Sequence, residues 1–500
     1  MAFFFKVYTP ESFLGLTTIL LLLFNCFLIS YSAKNKFPIL NIEILIQIAT
    51  LCIITFFLFF NTNFFFNSFN FFFTGFQTQN LKLILLLLFL TILIPIWRNF
   101  IIQKLNFFEF FIILNFILLG LFFLICSYNI VAIYLCLEIQ ALGFYILASF
   151  NRLSIFSSEA GLKYFISSSL ISGIFLFGST LIYFSLGTLN LYEVSVLLTF
   201  FSFYSNTYIF ILFFIGCFLI LNTLLFKLVI APFHFWFPQI YDGSPVSSTI
   251  VFSILPKIAL INLFISFWSM TSSSLLYLNN FFFLIGVYSV IFGILKMLKQ
   301  KKLKKLYIYS SISTFGLLLC VLIDNNVESL FSIYFFLIIY FITTILFWST
   351  LTLVYYNRVQ QAYKKNFHFS IFLTIFTNIL MQNTIFAITI CFIFFSMAAL
   401  PPFSGFISKL YIFINLIKNF KYEFSFILIY FGILGSYYYI KFLKIVCFEN
   451  LNLTNQTQVF NLFTMPLLSI DCLLYSLLLF FLFFLFIYPQ ALLFFLTLLF

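Results

Sequence analysis

Apolar runs about twenty residues long follow one another along almost the whole of this sequence, and charged residues gather in the short stretches between them. That is the length an α-helix needs to cross the hydrocarbon layer of a bilayer. In lipid each backbone N–H and C=O must be paired within its own segment or within a closed barrel. Barrel strands would alternate polar and apolar residues over about ten positions, whereas 81–97 and 473–488 are apolar on every face. The pattern therefore predicts an all-α, polytopic transmembrane bundle. Composition leaves no soluble alternative, because 64% of residues are hydrophobic and 7% charged, against about 45–50% and about 25% in soluble domains.

Spans are expected near 12–32, 39–60, 81–97, 106–127, 129–150, 160–186, 205–231, 247–268, 278–298, 303–323, 327–355, 371–400, 424–446 and 464–488, about fourteen helices. The basic residues sort by loop parity. Lys34 and Lys36 follow the first span, Arg98 and Lys104 the third, Arg152 the fifth, Lys299, Lys301, Lys302, Lys304 and Lys305 the ninth, and Arg358, Lys364 and Lys365 the eleventh. Even loops carry Glu193, Asp324 and Glu328 instead, with Lys418 and Lys421 the exception. The positive-inside rule then puts the odd loops in the matrix or cytoplasm and both termini on the opposite side. The net charge of +12 is thus topological, and no soluble basic domain is present to bind nucleic acid.

The excess of Phe (86) and Tyr (28) reads as codon bias of an A+T-rich genome such as an organelle's rather than as aromatic function. Nine cysteines stand singly without a CxxC pair, so the ligand spacing of a zinc or iron–sulfur site is missing. His234 and His368 are too few for the paired axial ligands of a multi-haem cytochrome. No bound redox cofactor or metal is expected. The start MAFFFKVYTPESFLGL runs into a full-length span without a small-residue cleavage site, so no targeting peptide is expected either.

A few charges fall inside the apolar helices, where they are expensive and therefore functional candidates. Glu138 lies mid-span in IVAIYLCLEIQALGFYIL, Lys227 in LLFKLVIAPFHFWFP, Lys257 directly after Pro256 in SILPKIAL, and Lys409 in SMAALPPFSGFISKLYIF. Pro232 follows Lys227, and Pro401 with Pro402 precedes Lys409. Proline lacks the N–H of the helical ladder, so both helices must break there. A break at membrane depth exposes backbone groups that need water or polar partners, which creates a hydrated cavity in a dry bundle. Desolvation disfavours an ammonium and a nearby carboxylate favours it, so changing the separation of Glu138 and Lys227 moves a proton on or off the lysine. The plain alternative is that each lysine only neutralises a carboxylate for packing; four such residues, two beside proline breaks, weigh against it.

These same segments carry a resemblance. LEIQALGFYILASFNRLSIFSSEAGLKYFISSSLISGIFLFGSTLIYFSLGTLNL, FKLVIAPFHFWFPQIYDGSPVSSTIVFSILPKIAL, KKLKKLYIYSSISTFG and MAALPPFSGFISKLYIF resemble the antiporter-like membrane subunits of respiratory complex I, and among them its subunit 2 family, over roughly 105–445. The resemblance implies two inverted five-helix repeats, each with a broken helix, the seventh and the twelfth. The expected division is 1–105 for the first three helices, 106–268 and 278–446 for the repeats, and 464–500 for a last helix. It implies Glu138 and Lys227 as the first-half proton pair, Lys257 as the connecting lysine and Lys409 as the second-half lysine. Subunit 4 usually has a glutamate at the place of Lys409, and subunit 5 adds a lateral helix not expected after Phe500. Thr314 stands where the family usually has a histidine, so the relay there would rest on water, with Ser310, Ser311 and Ser313 as helpers. NADH, flavin, iron–sulfur clusters and quinone are expected in other subunits. Subunit 4, the small subunits toward the quinone module, accessory subunits and phospholipids such as cardiolipin are the expected partners, in the mitochondrial inner membrane with both termini toward the intermembrane space. A stand-alone cation/proton antiporter subunit and a structural spacer without transport remain alternatives.

The remaining polar residues are weaker candidates. Glu159 and Lys163, four apart on one helix face, form an ordinary ion pair or assist proton uptake. His234 gates access behind the break or is a packed structural histidine, Asp242 caps or turns the chain, and 61–80 is an interfacial loop.

Overall fold

The computed structural model describes residues 9–32, 47–55, 58, 66–68, 71–103, 108–151, 154–201, 207–271, 276–324, 326–362, 384–447 and 469–497. Helix α1 spans Thr9–Ser32, a helical stretch covers 47–55, and an antiparallel hairpin follows from β1 (Phe66–Ser68) and β2 (Phe72–Thr74). Then come α2 (Phe76–Gln103), α3 (Phe108–Cys126), α4 (Ile130–Ala148), α5 (Ile155–Leu186), α6 (Leu191–Phe201), α7 (Thr207–Leu228) and α8 (Trp236–Gly243). The second half runs through α9 (Val246–Thr271), α10 (Leu276–Met297), α11 (Leu303–Leu322), α12 (Val327–Ala362), α13 (Thr384–Ala398), α14 (Ser404–Lys418) and α15 (Tyr422–Cys447), closing with α16 (Ser469–Ile487) and α17 (Pro489–Thr497).

Ten of these helices are long and apolar enough to cross a membrane, with mean hydropathy from 1.5 to 2.7, and Pro10–Leu23, Ala387–Ala398 and Cys472–Ile487 are shorter apolar stretches. The difference from about fourteen has a physical source in part: α13 and α14 are two short pieces of one interrupted span, and 371–383 of that span lies outside the described residues. The loop expected over 61–80 is corrected over its described part. Residues 66–74 pair as a hairpin whose Phe72 bridges Ser127, and α2 starts at Phe76 because Thr78 Oγ1 accepts the Gly75 N–H at 3.0 Å and caps the helix ahead of the apolar run.

Helix α9 is the buried axis of the first half; Ser247 to Ile261 are buried on every face, and the helix continues through Pro256. The pairs α3/α4, α5/α7 and α10/α11 pack side by side, and α9 packs against α2, α3, α7 and α12. Where α5 crosses α7, Gly178 and Gly216 meet so closely that a Cβ on Gly216 would lie 2.9 Å from the Gly178 carbonyl oxygen, the small-residue contact that lets membrane helices approach. Helix α5 leaves Leu162, Phe165, Ile166, Leu170 and Phe177 bare on its other side. One buried ion pair lies outside the repeats: Lys82 of α2 bonds Glu11 of α1, the side chains being 2% and 1% exposed. Sequence reading did not single it out, because Lys82 sits one residue inside the expected start of its span.

Candidate functional site: two capped helix breaks and a shared cavity

Both proline-directed breaks form, and they are built alike. Helix α7 ends at Leu228, after which Val229 takes the left-handed conformation at φ 68°. The Val229 N–H donates to Phe226 O and the Ile230 N–H to Leu225 O, both at 3.1 Å, which is the paired closure of a Schellman turn. Helix α13 ends the same way, with Ala399 at φ 57°, its N–H on Ser396 O and the Leu400 N–H on Phe395 O. In each, the third residue after the left-handed one is a proline preceded by a cis bond, Pro232 or Pro402. Every one of these positions has its counterpart 170 residues on, although Lys227 is matched by Met397. Glycine is the usual residue in the left-handed position, and a side chain there costs about 1–2 kcal/mol. Val229 and Ala399 carry that strain at the two points where the spans are interrupted.

A Schellman turn satisfies the carbonyls two and three residues before the cap and leaves the last two orphaned. Those are the groups met by the buried Lys257 and the half-buried Lys409. Lys257 Nζ donates to Leu228 O at 3.3 Å and lies 3.5 Å from Lys227 O. Lys409 Nζ donates to Met397 O at 3.3 Å, the position matching Lys227. Each ammonium thus faces the negative end of a helix dipole. Lys257 is 3% exposed and its ammonium lies 4.7 Å from the Phe315 ring centroid and 5.6 Å from that of Phe237. In the second half the close approach depends on Gly405, where a Cβ would stand 2.0 Å from Ser396 O.

Lys227 and Lys257 both line one cavity of about 40 Å³, where Gln140, Tyr164, Ser168, Trp236 and Tyr241 stand among apolar residues such as Leu137, Phe144, Phe252 and Leu260. A site needs about 10–15 Å³ measured this way to hold a water, so this one has room for more than one. Gln140 Oε1 and Trp236 Nε1 are buried there without a protein partner, and such groups call for water. Trp236 is held between Tyr164 and Phe226, with ring centroids 5.2 and 5.3 Å away. Glu138 sits on α4 at the edge of this region, half-buried, with Oε1 unpartnered; it acts electrostatically on Lys227 but forms no ion pair with it among the described residues. The structure therefore brings Glu138, Lys227 and Lys257 together and sets Lys409 at the second break.

The other expected residues divide. His234 is buried, packed on Phe235 and Phe292 with ring centroids at 4.6 and 4.2 Å, and hydrogen-bonded to the Pro232 backbone, with Nδ1 unpartnered. Pro232, Pro401 and Pro402 are exposed at the breaks. Lys163 pairs with Glu159 at 2.5 Å, the two side chains about half exposed, as an ordinary surface pair. Ser310 and Ser311 are buried, and Thr314 Oγ1 donates to Ser311 O at 2.9 Å one residue before the Phe315 ring that holds Lys257. Asp242, expected to cap or turn the chain, stands in the last turn of α8 just before the chain turns into α9, and it receives Lys302 at 3.1 Å and Lys305 at 3.5 Å, while Lys304 Nζ donates to Ser244 O at 3.0 Å. These contacts tie the end of α8 to the start of α11. Sequence reading missed Gln140, Tyr145, Tyr164, Ser168 and Trp236; a polar residue two positions after Glu138 was the only available signal.

The sequence pattern of the family described as NADH:quinone oxidoreductase/Mrp antiporter, TM, matches residues 127–436. NADH-ubiquinone oxidoreductase chain 2 of Marchantia polymorpha is 33% identical over 400 residues, 78% of this chain and 76% of that one. NADH-quinone oxidoreductase subunit N of Rickettsia typhi is 31% identical over 438 residues, 87% and 91% of the two chains. Among solved structures, a chain of respiratory complex I from Thermus thermophilus has the same fold, with TM-score 0.75 and 20% identity over 97% of this chain and 98% of that one. A chain of an archaeal membrane-bound sulfane sulfur reductase matches at TM-score 0.78 and 18% identity over 99% and 95%. The chain thus belongs to the family of antiporter-like membrane subunits of NADH:quinone oxidoreductase, in the branch of chain 2 and subunit N.

Proposed function

We propose that this chain is the proton-conducting chain-2-type subunit of the membrane arm of respiratory complex I, set in the mitochondrial inner membrane with both termini toward the intermembrane space. Redox chemistry, and with it NADH, flavin, iron–sulfur clusters and quinone, belongs to other subunits. The neighbouring antiporter-like subunit 4, the small subunits toward the quinone module, accessory subunits and lipids are its partners. The repeats are 106–268 and 278–446, a division supported by the 170-residue correspondence of the two breaks.

The carrying observation is that two lysines, the half-buried Lys227 and the buried Lys257, share one small cavity at a helix break with Glu138 at its edge. Two ammonium groups in one low-dielectric cavity repel, so a proton gained by one weakens the hold of the other. A carboxylate at the edge stabilises a proton on Lys227, and withdrawing its charge releases that proton toward Lys257. Water in the cavity supplies the path, because no hydrogen bond joins the two ammonium groups among the described residues. Lys409 repeats the capping role of Lys257 at the second break, and Thr314, Ser310 and Ser311 serve as polar helpers of the relay between Lys257 and Lys409.

The test is Lys227→Met in the assembled complex, reading protons translocated per NADH oxidised in sealed vesicles. Loss of translocation with normal assembly supports the reading; undiminished pumping sinks it. A stand-alone antiporter is the second reading, kept by the family description that spans both kinds of complex. A megadalton native particle that stains for NADH dehydrogenase decides for complex I, and a small inactive particle for the antiporter.

A further inference from the structure

The serine and tyrosine hydroxyls beside the cavity are not accounted for by the lysines and Glu138. Ser168 of α5 lines the cavity and is 5% exposed; Tyr145 of α4 is 8% exposed, and the two hydroxyls are hydrogen-bonded to each other. Ser168 Oγ has a second acceptor, the Tyr164 carbonyl, at 2.6 Å. A serine hydroxyl carries a single proton and can serve only one acceptor at a time. When it serves Tyr164 O, the Tyr145 hydroxyl must donate to Ser168; when it serves Tyr145, that phenol is free to donate elsewhere. The pair thus has two senses of donation that differ only by rotation of two hydroxyls.

The two ends of the pair face different groups. Ser168 opens on the cavity that holds Lys227. Tyr145 follows Glu138 by seven residues on α4, two turns along the same face and about 10 Å in axial rise. Helical side chains lean toward the N-terminus, Glu138 as well as Tyr145, so the rise between carboxylate and phenol is left for water to bridge. Glu138 Oε1 is buried without a partner, and no ion pair joins Glu138 to Lys227 among the described residues. Packing holds the phenol still: the Tyr164 and Phe165 rings meet Tyr145 edge-on, with centroids at 5.1 and 5.5 Å.

We propose that the Tyr145–Ser168 hydroxyl pair is the proton relay between Glu138 and the Lys227 cavity. The inference rests on the proposed proton-conducting function and names the route within it. In one passage a proton from the Glu138 side bonds to the Tyr145 oxygen as the phenol's own proton passes to Ser168 Oγ, and the serine's proton leaves into the cavity toward Lys227. One O–H bond forms and one breaks at each oxygen, both residues end neutral, and rotation of the two hydroxyls resets the pair. Transfer in the other direction reverses each step.

The experiment compares Tyr145→Phe, Ser168→Ala, Ser168→Thr and Lys227→Met as assembled complexes in sealed vesicles, reading protons moved per NADH oxidised and normalising to assembled complex. Tyr145→Phe and Ser168→Ala should each lose the same share of pumping as Lys227→Met, and the two together no more than either alone, because they interrupt one chain. Ser168→Thr keeps a hydroxyl and should pump as the parent, which a packing role alone would not give. Normal pumping by Tyr145→Phe and Ser168→Ala, with Lys227→Met impaired, overturns the relay and leaves the function standing. Normal pumping by Lys227→Met overturns the function and the relay with it. Should Tyr145→Phe fail to assemble, the Ser168 pair of variants decides by itself.

Discussion

Replacing Lys257 by Met isolates what the ammonium does at the first break, because an unbranched side chain of nearly the same length stays between the Phe237 and Phe315 rings while the terminal charge and its donors are lost. Two hydrogen bonds to orphan carbonyls are lost, at 3.3 and 3.5 Å. Charge-assisted bonds contribute about 1.5–3 kcal/mol at good geometry, and these are long enough to sit at or below the low end. The contact with the Phe315 ring adds about 1 kcal/mol, and removing a buried charge returns part of its desolvation cost. The net weakening is about 2 kcal/mol, confined to the break. That corresponds to about thirtyfold faster amide exchange at Val229, Ile230 and Phe233, whose N–H groups close the turn. Hydrogen exchange on the purified complex reads these amides directly. Ala399, Leu400 and Phe403 act as the internal control, since their turn is capped by Lys409. Unchanged exchange at the first break, or equal acceleration at both, would refute the capping argument; Lys409→Met should give the mirror result.

Gly405→Ala places a Cβ 2.0 Å from Ser396 O, so α14 cannot seat against the end of α13, and native electrophoresis should show a loss of assembled complex. Glu11→Gln leaves Lys82 a buried, uncompensated charge at a cost of about 3–5 kcal/mol, whereas Glu11→Leu with Lys82→Met together should recover most of the lost thermal stability. Asp242→Asn frees Lys302 and Lys305, which are about one-third exposed; the expected change is below about 1 kcal/mol and should vanish at high salt, read as the shift in melting temperature at two ionic strengths.

Ten span positions were legible because lipid imposes one period and one length on the chain. The two breaks were legible because proline removes a donor wherever it stands, and the four intramembrane charges because nothing in lipid hides them. What composition could not show was which carbonyl each lysine meets. Lys257 is directed to Leu228 O from a different helix, a contact across 29 positions of sequence that no local pattern encodes. Pro256 shows the limit of the proline rule: α9 runs through it, whereas the chain is interrupted after α7 ahead of Pro232, where a break was expected. The polar lining of the cavity was hidden for a different reason. Ser168 and Tyr145 are ordinary helical residues until α4 and α5 pack, and Ser and Tyr are too common in this chain to stand out. The Glu11–Lys82 pair likewise joins residues 71 apart that each look like helix-end charges.

The two breaks share one backbone design, yet their caps are delivered differently. Lys409 lies on α14, the helix that continues the interrupted span, so cap and break are tied by ten residues of the same chain segment. Lys257 lies on α9 and reaches across to α7. Sliding or rotating α9 against α7 can therefore withdraw the first cap, whereas the second can be withdrawn only by distorting α14 itself. An ammonium withdrawn from the Leu228 carbonyl stays in the cavity with Lys227, and the carbonyls it leaves must take water in its place. Movement of α9 and hydration of the cavity are consequently the same event seen from two sides. The first half, whose cap is borne by a neighbouring helix, is thus the half in which displacing one helix against another changes the capping and hydration of the break most directly.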